Sequence, residues 1–270
     1  MTMRLRIASL GMYDSEALQS ANDRLWSAIA GHLRAAGLDR VPDRLDRSRA
    51  LEDVWDDPEL LLAQTCGYPL MTRWQGRLRY VATPCYRAPG CDGARHSSRI
   101  VVRHDDEAET LAGLRGRRLA LNDRHSNTGM NLLRAIIAPL ADAGRFFGTV
   151  IETGSHAASA RAVADGNADI AAIDTVTFAH LDRSAPDVTR RLRTLGWTAG
   201  TPGLPFVTAA TASAGTVRAL RHAIGLAIQD ERAAADQLLL DRIERIGLRA
   251  YDRVKTLEIR SARMGFPVLA

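Results

Sequence analysis

Lysine is almost missing from this chain. Lys255 is the only one, so arginine supplies nearly all of the 36 basic side chains. Aromatic residues are also few, at 5%. The net charge of +5 is modest, acidic residues are spread throughout, and no basic face interleaved with aromatics can be read. Nucleic-acid binding is therefore excluded as an expectation. No run approaches the roughly 20 apolar residues of a membrane helix, so the chain is not membrane-spanning. Only three cysteines occur, Cys66, Cys85 and Cys91, and they lack the paired spacing of a zinc site. A Cys85–Cys91 loop around Pro89-Gly90, a Cys66–Cys91 bridge and three thiols all stay open. No signal peptide is read either. Met1-Thr2-Met3-Arg4 runs straight into Leu5–Leu10, a first core strand, so a cytoplasmic location is expected unless a leader has been lost.

What is present is enough for a real core: 270 residues with 46% apolar content, more than one average domain. The stretch 117–133 organises the rest. Leu119–Leu121 is a short apolar run, and 122–128 holds almost only turn and cap residues. Leu132, Leu133, Ile136, Ile137 and Leu140 then recur at helical spacing. Ser126, Asn127 and Thr128 are good N-cap residues, and Gly129 lets a ligand approach the backbone. A helix start carries free N–H groups and partial positive charge, which suits an anion. An ordinary capped helix would have the same sequence.

The first strand ends at 11–15, and a helix over 16–36 follows, with Leu18, Leu25, Ile29 and Leu33 on one face. Residues 38–45 read as an edge strand interrupted by Pro42. A short helix at 49–55 precedes strands at 60–65 and 78–83. The middle section alternates: strand 98–103, short helix 106–114, strand 119–121 with its helix, strand 150–153, helix 157–164, strand 168–173, helix 174–181 and strand 192–198. Alternation with short connections predicts a largely parallel sheet. After a last strand at 206–210, the remainder reads as helical: 216–229, 232–240 and 251–264. Breaker-rich connections near 95–98 and 199–205 suggest two hinges. Residues 1–97 plus 203–270 then form a discontinuous domain 1, and 98–202 an inserted domain 2.

In a parallel sheet, strand ends and the following helix starts face the same way. Three successive turns thus converge, carrying Ser126-Asn127-Thr128, then Ser155-His156, then Asp174. Two offer N–H groups and donors; the third offers a carboxylate, which suits a ligand that carries a proton or an amino group. No nucleophile–base pair, metal cluster or Walker-type phosphate loop stands out, although His156 with Asp174 could act as an acid–base pair.

The strings 122–131 (Asn-Asp-Arg-His-Ser-Asn-Thr-Gly-Met-Asn), 152–159 (Glu-Thr-Gly-Ser-His-Ala-Ala-Ser) and 168–174 (Ala-Asp-Ile-Ala-Ala-Ile-Asp), in that order, resemble the phosphate/phosphite/phosphonate-binding family. These are substrate-binding components of phosphonate-type ABC transporters, and the resemblance covers the chain from Ile7 to the C-terminal helices. It implies an α/β, two-domain type II periplasmic-binding-protein-like fold, with two mixed sheets flanked by helices and a ligand cleft between. It implies capture of a small phosphorus oxyanion by hinge closure, with no catalytic residue, metal or cofactor. The ligand set it implies is Ser126, Asn127, Thr128 and Gly129 on the anion, Ser155 and His156 beside them, and Asp174. Tyr13 and Tyr68 come from the first domain, and Thr201 from the returning segment. Asn127 stands where the family turn is rich in small hydroxyl residues, with Arg124 and His125 upstream. The resemblance further implies a periplasmic location, an ABC permease partner and a monomer. The alternative is a cytoplasmic enzyme or ligand sensor on the same fold, acting on a different small molecule.

Overall fold

The computed structural model of the chain describes residues 6–270, so Leu5 of the expected first strand lies outside the described residues. The strands, in chain order, are β1 (Ile7–Ser9), β2 (Leu60–Gln64), β3 (Leu78–Tyr86), β4 (Cys91–Asp92), β5 (Arg95–His96), β6 (Ser98–Arg103), β7 (Arg118–Leu121), β8 (Thr149–Glu152), β9 (Ile170–Asp174), β10 (Leu192–Trp197), β11 (Thr201–Pro202), β12 (Phe206–Ala209) and β13 (Leu240–Glu244). They divide between two units: Met1–Arg87 with Pro202–Ala250, and Ala88–Thr201 with Tyr251–Ala270.

Unit 1 is built on a five-stranded mixed sheet in the order β1-β2-β12-β3-β13. β1 and β2 run parallel, while β12 and β13 pair antiparallel with their neighbours. The helix Glu16–Ala35 buries Leu18, Leu25, Ile29 and Leu33, the face its periodicity predicts, and packs against the helix Ala214–Asp230. Three buried indoles each find an acceptor, as an N–H in a core requires. Trp26 donates to Pro42 O at 3.2 Å, Trp55 to Gln64 O at 3.1 Å and Trp74 to an Asp56 carboxylate oxygen at 2.6 Å.

Two local readings fail here for backbone reasons. Residues 38–45 form no strand. Arg40 adopts a positive φ of 54°, Pro42 has no N–H to pair, and the carbonyls of Val41 and Pro42 accept from Arg34 and Trp26 instead. The expected helix to Leu240 stops at Gln237, because Leu239 sits at φ 57° and turns the chain. Leu240–Glu244 then becomes β13, paired with β3.

Unit 2 holds a second mixed sheet in the order β10-β6-β9-β7-β8. β9, β7 and β8 are mutually parallel neighbours, while β6 and β10 run antiparallel. Helices His156–Ala164 and Thr175–Ser184 cover it, with Val101, Ala120, Ala160, Val163, Ile173 and Phe178 among the core. The helix expected at 106–114 shrinks to a 3-10 turn, Leu111–Leu114, since the Asp106 carboxylate takes the Ala108 N–H and fixes a turn. Trp197 is 44% exposed, with the Arg99 guanidinium 4.8 Å from its ring centre.

The structure groups Tyr251–Ala270 with unit 2, where the sequence reading places them in domain 1, and begins unit 2 at Ala88 rather than 98. The reason is polar as much as apolar. Asn131 donates to Val254 O at 3.1 Å, Arg134 to Pro267 O at 2.6 Å, and the N–H groups of Phe146 and Phe147 reach Ala270 O at 2.6 and 2.9 Å. Asn131 is fully buried and also donates to Asn127 Oδ1 while accepting from Arg134. Replacing it by an apolar residue of similar size strands these partners. Asn131→Leu is therefore expected to lower the unfolding free energy by about 2–3 kcal/mol, read from urea denaturation, and an unchanged midpoint would refute this role.

Candidate functional site

The parallel alignment of β9, β7 and β8 brings three strand-to-helix turns to one edge of the unit 2 sheet. After β7, the Asp123 carboxylate accepts from His125 N at 2.5 Å and its carbonyl from Ser126 N at 3.2 Å, which closes the turn. Ser126 then caps the helix start, its Oγ accepting from Gly129 N at 2.9 Å. The first helical turn, Asn127–Asn131, is π-helical, with Asn131 N bonded to Ser126 O at 3.0 Å. This wider turn runs directly into the helix Leu132–Ile137.

The three turns are linked by side chains. His156 Nε2 lies 3.0 Å from Thr128 Oγ1. Its Nδ1 lies 3.4 Å from Asp174 N, which donates toward it. One imidazole thus joins the turns after β7, β8 and β9. The supposed His156–Asp174 acid–base pair is bridged at Asp174's main-chain N–H, not by its carboxylate. Asp174 Oδ1 instead caps the helix Thr175–Ser184, accepting from Val176 N and Thr177 N at 3.0 and 2.9 Å. Its Oδ2 faces His96 Nδ1 at 4.0 Å.

Thr201 joins this group, since Asn127 Nδ2 donates to Thr201 Oγ1 at 2.9 Å and both are buried. Ser155 is exposed and caps the helix His156–Ala164, its Oγ accepting from Ala158 N at 3.1 Å. Accepting a bond leaves the Ser126 and Ser155 hydroxyls their protons to donate. Gly129 is required for a reason the sequence conceals. A Cβ there would sit 1.7 Å from Asn122 Oδ1 and 3.1 Å from His156 Cε1, so the space is filled by protein rather than kept for a ligand. Arg124 and His125 are exposed, and Arg124 is paired with Glu152 at the end of β8.

Tyr13 and Tyr68 belong to unit 1 and are described within it. Tyr13 follows β1 and Tyr68 follows β2, and the parallel pairing places both turns at one sheet edge. Tyr13 packs edge-on against Tyr86 with ring centres 5.3 Å apart. It lines a small cavity of about 20 Å3 with Gln64, Phe206 and Leu240, room for a water but not for a ligand. Tyr68 is buried in the helix Gly67–Met71.

His96 and Ser98 touch these turns, which no motif announced. His96 is completely buried beside Asp174, and Ser98 Oγ donates to Thr128 O at 2.7 Å, holding the serine turn from β6. The only available signal was a polar His-Ser-Ser run before an apolar strand. Among the described residues no group of three or more His, Cys, Asp or Glu is placed to hold a metal ion. No disulfide joins Cys66, Cys85 and Cys91, and burial pushes the Cys85 thiol up to about 12.

Residues 61–254 match the family described as ABC transporter, phosphonate, periplasmic substrate-binding protein. The chain belongs to this family. No curated protein sequence matches it. Solved structures share the type II periplasmic-binding fold at low identity. PhnD1 from Prochlorococcus marinus, in complex with methylphosphonate, is 14% identical with a TM-score of 0.77, covering 96% of this chain and 98% of that one. A binding-protein component of an ABC phosphonate transporter from Pseudomonas aeruginosa is 17% identical with a TM-score of 0.75, covering 97% and 87%. A histidine kinase sensor domain similar to periplasmic binding proteins is 16% identical with a TM-score of 0.57, covering 89% and 97%. No helix among the described residues is long and apolar enough to cross a membrane.

Burial holds the His156 and His96 imidazoles below the usual histidine range, and Asp174 opposes the shift in both. The folded state thus refuses protons that the unfolded state accepts below about pH 6.5. Stability from these groups is full above that value and is lost as pH falls through it. The carboxylates of Asp46 and Asp169, held below their usual range, act with the same sign only in stronger acid. The unfolding free energy is therefore expected to fall between pH 7.5 and 5.5, and the fall to shrink in His156→Gln. A flat profile in the parent protein would overturn this.

Proposed function

We propose that this family member is a solute-binding component that captures a small phosphorus oxyanion: phosphonate, phosphite or phosphate. The observation that carries the reading is the linked edge of unit 2, where the turn at Ser126–Gly129, His156 and the helix start at Asp174 meet through one imidazole. Helix-start N–H groups and the Ser126 and Thr128 hydroxyls take the place of the anion's hydration shell. His156, held neutral by burial, positions the Thr128 hydroxyl for the anion. Asp174 faces a protonated oxygen or an amino group of the ligand. Thr201 and Asn127 hold the returning segment. No covalent step is involved, and the partner is an ABC permease in a periplasmic setting, as for the family.

A second reading, a ligand sensor, draws on the fold likeness to the histidine kinase sensor domain. Loss of anion uptake on deletion of the gene assigns transport. Retained uptake with a lost transcriptional response assigns sensing.

The direct test is a thermal-shift screen, followed by calorimetry, against phosphate, phosphite, methylphosphonate, aminoethylphosphonate, sulfate and small carboxylates. A phosphorus oxyanion at 100 times its Kd should stabilise the fold by about 2.7 kcal/mol. Scavenging implies a Kd near micromolar or tighter, roughly −8 kcal/mol. Ser126→Ala should weaken binding about tenfold or more by removing a donor to a charged oxygen. Unchanged affinity in that variant rejects the site, and no shift with any phosphorus oxyanion, in protein freed of bound ligand, rejects the ligand class.

A further inference from the structure

Unit 1 contains a second concave feature, independent of the site above. It is a recess of about 250 Å3 lined by Arg79, Tyr80, Val217, Arg218, Arg221 and Arg245. Three elements build it: β3 supplies Arg79 and Tyr80, the helix Ala214–Asp230 supplies Arg218 and Arg221, and Arg245 follows β13. Among the described residues, none of the four guanidiniums has a carboxylate within 4.0 Å. About half of the other described arginines do have such partners, as Arg47, Arg49 and Arg118 illustrate. Four like charges gathered in one recess repel one another. Burial, Arg245 and Arg79 all push the Arg221 guanidinium below its usual value.

Two of the four are fixed in place by backbone carbonyls. Arg221 Nε donates to Val81 O at 2.6 Å, and Arg79 Nη1 donates to Ala212 O at 2.5 Å. Each uses one of five N–H groups in that bond and keeps the rest of its planar fork for an acceptor. Guanidinium forks match the oxygen spacing of phosphoryl groups, and a preset fork loses little freedom on binding.

We propose that this recess is a second anion site, which takes a compact polyanion with two or more linked phosphoryl groups. Four cations in one recess call for a ligand with more than two negative charges in a small volume. Condensed phosphates meet that condition; a single phosphonate or carboxylate does not. Free condensed phosphate and the tail of a nucleotide share this chemistry, and binding experiments separate the two sources.

The test is calorimetric titration of the full chain with pyrophosphate, tripolyphosphate and ATP. Arg218 and Arg245 are exposed and, among the described residues, hold no hydrogen bond or ion pair, so Arg218→Gln and Arg245→Gln should keep the parent melting temperature. Tripolyphosphate is expected to bind the parent protein with a salt-dependent Kd. Each variant should weaken it about tenfold, while Ser126→Ala leaves it unchanged. Equal affinity for ATP assigns the site to nucleotide tails as well, and a clear preference for tripolyphosphate assigns it to free condensed phosphate. The proposal is overturned by absence of binding at millimolar concentration, by parent-like binding in both arginine variants, or by binding that disappears in Ser126→Ala.

Discussion

Everything at the candidate site depends on three strands running the same way. Because β9, β7 and β8 are parallel neighbours, their carboxyl ends share one edge, and the helix that follows each strand starts there. Reversing any one of them would carry its turn to the opposite edge. His156 makes use of this arrangement. From the start of one helix it reaches Thr128 in the next turn and the main chain of Asp174 in the third. A ring with two opposed nitrogens suits this bridging role, provided it stays neutral so that one nitrogen can accept. Burial supplies that condition by disfavouring the charged form. The geometry of the sheet and the protonation of one side chain are therefore parts of a single constraint.

Around that edge, several polar side chains bond one another or the main chain. Ser126 caps the turn, Asn127 holds Thr201, Asn131 holds both Asn127 and the carbonyl of Val254, and Ser98 holds Thr128. Buried polar networks of this kind are costly when incomplete and rigid when complete. The C-terminal segment belongs to unit 2 for this reason, since its carbonyls at Val254, Pro267 and Ala270 accept from groups in and near that network. Apolar periodicity alone marks 251–264 as a helix but says nothing about which unit supplies its partners.

Those same interactions decide what could be read from residues in order. The turn at 126–129, the Ser155-His156 turn and the Asp174 helix start were legible because cap chemistry and strand alternation are local signals. Their convergence followed from the parallel rule, and the linking imidazole then fell within reach. Gly129 was legible as a site of close approach, but what approaches it is Asn122, seven positions away, and no spacing rule reveals that. His96 stayed hidden because a single histidine next to a strand has no pattern. The strand at Leu240–Glu244 was missed because Leu238-Leu239-Leu240 continues a helical pattern until the left-handed backbone of Leu239 breaks it. Residues 38–45 failed as a strand for the matching reason: side chains from distant positions take the carbonyls a strand would need.

The near absence of lysine acquires a physical reading in this light. Arginine repeatedly bonds main-chain carbonyls here: Arg34 to Val41, Arg118 to Gly166, Arg134 to Pro267, Arg221 to Val81. A guanidinium can do this and still meet a carboxylate with its remaining N–H groups, as Arg118 does with Asp169. A lysine ammonium, a compact point charge on a flexible stem, cannot reproduce that fixed fork. Where both partners are present, the arginine's charge is balanced inside the fold and contributes structure. Around the recess of unit 1 the carbonyl partner is there for Arg79 and Arg221, but the carboxylate is not. What remains is oriented and uncompensated positive charge. Arg95, Arg115 and Arg193 also bond carbonyls without a carboxylate, so it is the gathering of four charges that marks this recess, and it contrasts with the serine turn of unit 2, where mostly neutral donors surround one neutral imidazole.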